Sequence, residues 1–184
     1  MYVVDSGFVI AKVRTRDMRQ SASGQHQMVT YFGSTEHGLD DKGRITLPGR
    51  ILDRIAKQEW KFYLCAGLDR CVLMYDQAGW DELLGKIGTG APSGRAHRNL
   101  LRRFLGHAEE VVPDATRRIR IPDLLLTYAG LQPGQAAVLL GTGRILEIWA
   151  QAQLGSTLAD ASPEEESLFA TLVGSNMPST PPRA

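Results

Sequence analysis

With 184 residues, 43% hydrophobic and 22% charged, and a formal net charge of +1, the chain has the balance of a globular protein. It is long enough for one compact domain or two very small ones. No apolar run approaches the ~18 residues of a membrane span, and Cys65 and Cys71 have neither zinc-ligand spacing nor the number needed for a disulfide framework.

Met1–Val13 is apolar but is interrupted by Asp5 and Lys12, and it lacks the basic region that opens a signal peptide. The expectation is a cytoplasmic protein with reduced cysteines in its core. Charge is unevenly spread: residues 1–27 carry +2, 28–87 carry −1, 88–154 carry +3 and 155–184 carry −3. All eight basic residues of the 88–154 segment are arginine, the side chain that grips phosphate and guanine bidentately.

The first predicted elements are a turn at Asp40–Gly43 and a short alternating strand, Arg44–Leu47. In that strand Ile45 and Leu47 face one way, and Arg44 and Thr46 the other. Pro48 ends the strand and suits the first turn of a helix predicted over Gly49–Lys57, with Ile51, Leu52 and Ile55 at helical spacing. Strands at Lys61–Ala66 and Cys71–Tyr75 flank the loop Gly67-Leu68-Asp69-Arg70 as a β-hairpin. A short amphipathic helix, Gln77–Lys86, closes the unit with Trp80, Leu83 and Leu84.

Gly85–Gly94 reads as a linker. Arg95–His107 reads as a helix with Leu100, Leu101, Phe104 and Leu105 on one side and Arg95, Arg98, Arg102 and Arg103 on the other. Those arginines suit either a DNA channel or the acidic groups of a neighbouring protomer. Further on come a strand at Arg118–Ile121, a helix at Asp123–Ala129 and a hairpin of Ala136–Leu140 with Arg144–Trp149. Ser162-Pro163-Glu164-Glu165 is a capping box opening a helix to about Val173. Asn176–Ala184 reads as disordered.

The second set repeats the first. A shift of 74 aligns Asp40, Arg44, Ile45 and Pro48 with Asp114, Arg118, Ile119 and Pro122, and Gly67 and Arg70 with Gly141 and Arg144. Between positions 36 and 84 there are 12 identities in 49 positions, without a gap, where ordinary composition gives roughly three. A unit of this size buries too little surface alone, so the prediction is one pseudo-symmetric, β-rich α+β domain or two intimately joined ones. The divisions expected are 1–29, 30–87, 88–105, 106–159 and 160–184: an N-terminal extension, unit one, a linker with the basic helix, unit two, and an acidic helix with its tail.

Several of these residues resemble a known family. Phe32-Gly33-x-x-x-His37-x-Leu39-Asp40-x-Lys42-Gly43-Arg44-x-x-x-Pro48 looks like the opening motif of MraZ. So do the Gly67-Leu68-Asp69 hairpin, the Asp114-x-x-x-Arg118 element and the closing Arg144-Ile145-Leu146-Glu147-Ile148-Trp149. The resemblance implies two tandem AbrB-type (SpoVT-like) swapped-hairpin units and assembly into a ring. It also implies association with the nucleoid and repression of a bacterial division and cell-wall gene cluster through repeated promoter sequences. There are two departures. Arg117 stands where glycine is expected before the second motif arginine, so that turn is either reshaped or strained by roughly 1–2 kcal/mol. The family's usual start corresponds to Met28, which makes residues 1–27 an extension or a misassigned start.

The expected partners are double-stranded promoter DNA and further copies of the chain, with no cofactor, no metal, no membrane and no small-molecule substrate. No phosphate loop, metal-ligand cluster or nucleophile–base arrangement points to an enzyme. The candidate DNA-binding residues are Lys42, Arg44, Arg117, Arg118 and Arg120. Arg44 and Arg118 have a second possible role, each bracing its turn by pairing with the aspartate four residues earlier. Arg117, Arg118 and Arg120 have no acidic residue directly beside them. Asp40, Gly43 and Asp114 are assigned to the turns themselves, because aspartate repels phosphate. His37, Trp80, Trp149, Tyr75 and Phe104 are read as structural. The competing class is an AbrB-like antitoxin whose acidic segment occupies a protein partner, against which the duplication within one chain argues.

Overall fold

A computed structural model describes residues 29–53, 55, 60–87, 94–159 and 162–174. The extension at residues 1–27 and the tail from Asn176 lie outside these. The strands are β1 (Tyr31–Gly38), β2 (Arg44–Thr46), β3 (Phe62–Ala66), β4 (Val72–Asp76), β5 (Glu109–Val111), β6 (Arg118–Arg120), β7 (Ala136–Gly143) and β8 (Leu146–Ala150). The helices are α1 (Gly49–Leu52), α2 (Gln77–Ile87), α3 (Gly94–Phe104), α4 (Asp123–Ala129), α5 (Gln151–Thr157) and α6 (Pro163–Gly174).

Six strands form one sheet in the order β1-β7-β8-β4-β3-β5, and β2 pairs with β6 in a separate two-stranded ribbon. Exchanging the two copies turns that order into its own reverse, so the molecule is built about a pseudo-twofold axis. The axis passes between residues that the repeat makes equivalent: Ile45 opposes Ile119 in the ribbon, and Leu73 opposes Glu147 between β4 and β8. The copies also interlock. β1 of the first copy pairs with β7 of the second, and β5 of the second pairs with β3 of the first. Neither half can close its sheet alone, which is how two undersized units come to share one core.

The principal core lies between the sheet and a layer made of the ribbon, α1 and α4. Ile45, Leu47, Ile119 and Ile121 enter it from the ribbon side, and Phe62, Leu64, Met74, Leu139 and Ile148 from the sheet. On the sheet's other face α2 and α3 pack over Cys65 and Tyr75, Trp80 of α2 completing that cluster, and α5 brings Leu154 onto Val138 and Trp149. Trp80 stacks on Tyr63 with centroids 4.8 Å apart. Burial pushes both thiols, Cys65 and Cys71, up to about 12, so they are unreactive core groups.

Four expectations need correction. The helix predicted over Gly49–Lys57 stops at Leu52. The indole N–H of Trp60 donates to the carbonyls of Leu52 and Ile55, both at 3.1 Å, and Ile55 N donates to Leu52 O in a tighter turn. Its counterpart α4 runs its full predicted length. It has an aspartate in the first turn and Gly130 at φ 64° closing it, with Leu131 N bonded to Leu126 O. The linker expected from Gly85 begins later, because α2 continues through Ile87.

The third correction concerns the gapless repeat. Phe62 pairs with Asp76, but Ala137 pairs with Ala150, so β3 and β7 correspond at a spacing of 75. One residue has been added before β7 and one removed from the hairpin loop after it. The change preserves inward and outward faces, which a one-residue slip would exchange. Gly141 therefore takes the place of Ala66 rather than Gly67, and a β-carbon there would collide with the backbone of Tyr31 and Phe32 in β1. The fourth is the edge strand β5, which no alternation in Glu109–Val111 announced.

Candidate nucleic-acid interface

The ribbon presents one buried and one exposed face. Ile45 and Ile119 are fully buried, and Arg44, Thr46, Arg118 and Arg120 occupy the opposite side, with Arg44 opposite Arg120 and Thr46 opposite Arg118. Thr46 shares this exposed face, although its residue type and place in the strand marked no site. Each strand is entered through a turn built by an aspartate. Asp40 Oδ1 accepts the N–H groups of Lys42 and Arg44 at 2.9 Å each, and Asp114 Oδ1 accepts those of Thr116 and Arg118 at 2.9 Å each. Gly43 N donates to Asp40 O, and Arg117 N to Asp114 O, both at 2.9 Å. The two turns are therefore closed by the same bonds.

The residue before the motif arginine is left-handed in both, at φ 67° for Gly43 and φ 64° for Arg117. Of the two alternatives for the second turn, the backbone is strained rather than reshaped, by roughly 1–2 kcal/mol. Gly43 is buried, and a β-carbon there would run into the Leu126 side chain. Arg117 is exposed, and its guanidinium lies over Gly49 at the start of α1, where a β-carbon would meet it.

The motif arginines and aspartates are brought together across the pseudo-twofold axis. Arg44 Nε donates to Asp40 Oδ2 at 2.6 Å, and Arg118 Nε to Asp114 Oδ2 at 3.0 Å. Arg118 Nη2 also reaches Asp114 at 3.0 Å. Two longer pairs cross between the copies: Arg44 Nη1 to Asp114 Oδ2 at 3.9 Å and Arg118 Nη1 to Asp40 Oδ2 at 3.8 Å. These four charges form a neutral, half-exposed quartet. The Arg44 backbone N–H, more than its side chain, holds the Asp40 carboxyl below its ordinary range. The Thr116 hydroxyl, at 2.7 Å, and then the Arg118 backbone hold Asp114 further below.

The bracing role expected as the alternative for Arg44 and Arg118 is thus present. A guanidinium has five donors, and this bracing leaves some of them for a ligand. Arg120 is less open than expected, because Nη2 donates to Asp123 at 3.0 Å, an i,i+3 pair that the sequence contained. Lys42 lies exposed at its turn. His37 meets Thr35 Oγ1 at 3.0 Å, and burial followed by Arg50 lowers its pKa. Among the described residues no helix is long and apolar enough to cross a membrane.

The family described as "MraZ protein, putative antitoxin-like" matches residues 19–103 and 104–171, so both copies are recognised separately. The chain is 33% identical over 132 residues to the transcriptional regulator MraZ of Treponema pallidum, covering 71% of this chain and 86% of that protein. It is 30% identical over 138 residues to that of Acetivibrio thermocellus, covering 75% and 93%. To that of Clavibacter michiganensis it is 34% identical over 119 residues, covering 65% and 80%. The family is non-enzymatic. With two copies matched and relatives covered over most of their length, the chain belongs to the MraZ family of transcriptional regulators, as a tandem pair of MraZ repeats.

Proposed function

We propose that the exposed face of the β2–β6 ribbon reads promoter DNA. Arg44 and Arg118 lie at its centre, Lys42 and Arg117 at the turns beside them, and Arg120 at its edge. A two-stranded ribbon is of a size that the major groove admits. The observation that carries this reading is the quartet. Asp40 and Asp114 hold two arginine side chains beside one another in a fixed orientation, so little side-chain freedom is lost when phosphate or a base edge is engaged. Lys42 and Arg117, neither in an ion pair among the described residues, add charge on the same surface.

One such ribbon contributes few charges, so affinity would come from several protomers of a homo-oligomeric ring engaging repeated elements in parallel. In this reading the chain is a cytoplasmic, nucleoid-associated repressor of a division and cell-wall gene cluster. The test is a gel shift on the DNA upstream of its own gene, comparing the wild type with Arg44→Ala and using circular dichroism to verify folding. A folded Arg44→Ala protein should bind markedly more weakly, and undiminished binding would remove the ribbon from the mechanism. Light scattering tests the ring, which a monomer at micromolar concentration would contradict.

A further inference from the structure

The exposed face of the ribbon is symmetric in its backbone and asymmetric in its side chains. Across the pseudo-twofold axis Arg44 corresponds to Arg118, but Thr46 corresponds to Arg120. Side chains on one face of a strand recur every second residue, so Thr46 stands about 7 Å along β2 from Arg44. It lies directly opposite Arg118 of β6. Leu47 N donates to Arg117 O at 2.8 Å, which brings the second turn alongside the same end of the ribbon. A short, uncharged side chain therefore occupies a place among guanidinium groups.

The four side chains of this face also differ in what holds them. Arg44 is tied to Asp40 at 2.6 Å, Arg118 to Asp114 at 3.0 Å and Arg120 to Asp123 at 3.0 Å. The first copy has Gly49 where the second has Asp123, and no acidic residue in the first turn of α1, so no such partner stands beside Thr46. Thr46 is exposed, and among the described residues its hydroxyl bonds to no protein group. The hydroxyl of Thr116, by contrast, is taken by Asp114 Oδ1 at 2.7 Å. Threonine has no charge to draw it to a phosphate. Its hydroxyl can meet a base edge, and its γ-methyl suits the methyl group of thymine.

We infer that Thr46 contacts a base edge in the major groove and sets the ribbon's preference at one base pair, in addition to what the arginines engage. The inference rests on the DNA-reading ribbon proposed above and names a specificity residue within it. At equivalent places, the first copy reads a base with Thr46 and the second presents a charge with Arg120.

The test compares the full-length wild type with Thr46→Val, which keeps the γ-methyl and loses the hydroxyl, and Thr46→Ser, which does the reverse. Each is titrated by fluorescence anisotropy on promoter DNA and on a panel in which every base pair of the bound element is changed in turn. Circular dichroism verifies the fold. At least one of the two variants should lose discrimination at one base pair by roughly fivefold or more, the low end of what a mismatch costs. The salt slope should stay unchanged, because no charged phosphate contact is removed. Thr46→Arg, which copies position 120, should steepen that slope by up to about 0.9 and raise affinity for unrelated DNA as well as for the promoter. Unchanged discrimination in both Thr46→Val and Thr46→Ser would overturn the inference. So would a loss uniform across the panel, which would make Thr46 a backbone contact, or a Thr46→Arg protein with the wild-type slope, which would put the position out of reach of DNA. A wild type that prefers promoter DNA, with both variants indistinguishable from it, removes this inference alone. A wild type that binds promoter and unrelated DNA equally counts against the proposed function itself and takes this inference with it.

Discussion

The turns at Asp40–Arg44 and Asp114–Arg118 have nearly the same backbone and different residues at its one left-handed position. The first uses Gly43 at φ 67°, buried, and the second uses Arg117 at φ 64°, exposed. The backbone hydrogen bonds accepted by each aspartate are the same in kind and length, so the aspartate holds the turn, and glycine is one of two ways to tolerate it. What differs is the opposing helix. Leu126 of α4 stands where a Gly43 β-carbon would go, whereas Gly49 of α1 leaves room for the Arg117 guanidinium. A duplicated motif has thus diverged in its packing while its polar frame has stayed fixed.

The largest effect tests what the turns share. Ile45 and Ile119 are equivalent, fully buried, and opposite each other in the ribbon. Truncating either to alanine should cost about 2–5 kcal/mol in urea unfolding, and the two costs should agree closely. A cost for one more than twice that of the other would mean that the ribbon does not sit on the pseudo-twofold axis. Next comes the position that differs. Gly43→Ala should destabilise by about 1–3 kcal/mol, from left-handed strain and the approach of Leu126. Arg117→Gly should change stability by less than ~1 kcal/mol, because relieved strain is offset by a more flexible unfolded chain. Equal and opposite effects would show that packing does not distinguish the turns.

Much of this frame was legible in the chain. Pro48 and Pro122 placed the strand ends, the two hairpins followed from local alternation, and Asp40/Arg44 and Asp114/Arg118 were pairable at four-residue spacing. The cross-copy pairs Arg44–Asp114 and Arg118–Asp40 were not legible, because they depend on an axis that only the folded pairing creates. The exchange of β1 and β5 was hidden for the same reason, being a non-local pairing with no local signal. The slip of β7 lay beneath a gapless alignment in which Gly67 and Gly141 coincide by residue type but not by place. Arg117 could be identified as a departure, but its direction depends on Gly49, which is 68 positions away in the chain. Arg120–Asp123 was within reach, an i,i+3 pair at the start of α4.

The next smaller effect separates the charges at the two turns. Among the described residues Lys42 has no acidic partner at its tip, whereas Arg117 is laid over Gly49. On the proposed interface, Lys42→Ala should lower the slope of log affinity against log salt by about 0.9, one phosphate contact. Arg117→Ala should lower it by less. Fluorescence anisotropy on promoter DNA across a salt series measures both. A larger loss for Arg117→Ala would mean that its guanidinium leaves Gly49 when DNA is present.

The smallest effect is the pH dependence of the aspartates. Both carboxyls are held below the ordinary 3.8, Asp114 further than Asp40. A depressed carboxyl contributes its stability in full above the unfolded value, and that contribution is lost as pH falls through the folded one. Wild-type stability should therefore decline as acid is added below about pH 4, and Asp114→Asn should flatten this decline more than Asp40→Asn. The difference originates in Thr116, whose hydroxyl donates to Asp114 Oδ1 where the first turn has Lys42 and no such donor. Thr116→Val should accordingly bring the two turns together, making Asp114→Asn and Asp40→Asn flatten the profile equally when compared in that background. Denaturant titrations between pH 5 and 2.5 decide it: if Asp114→Asn still flattens the profile more after Thr116→Val, the asymmetry has another source in the second turn, where Arg118 Nη2 also reaches Asp114 at 3.0 Å.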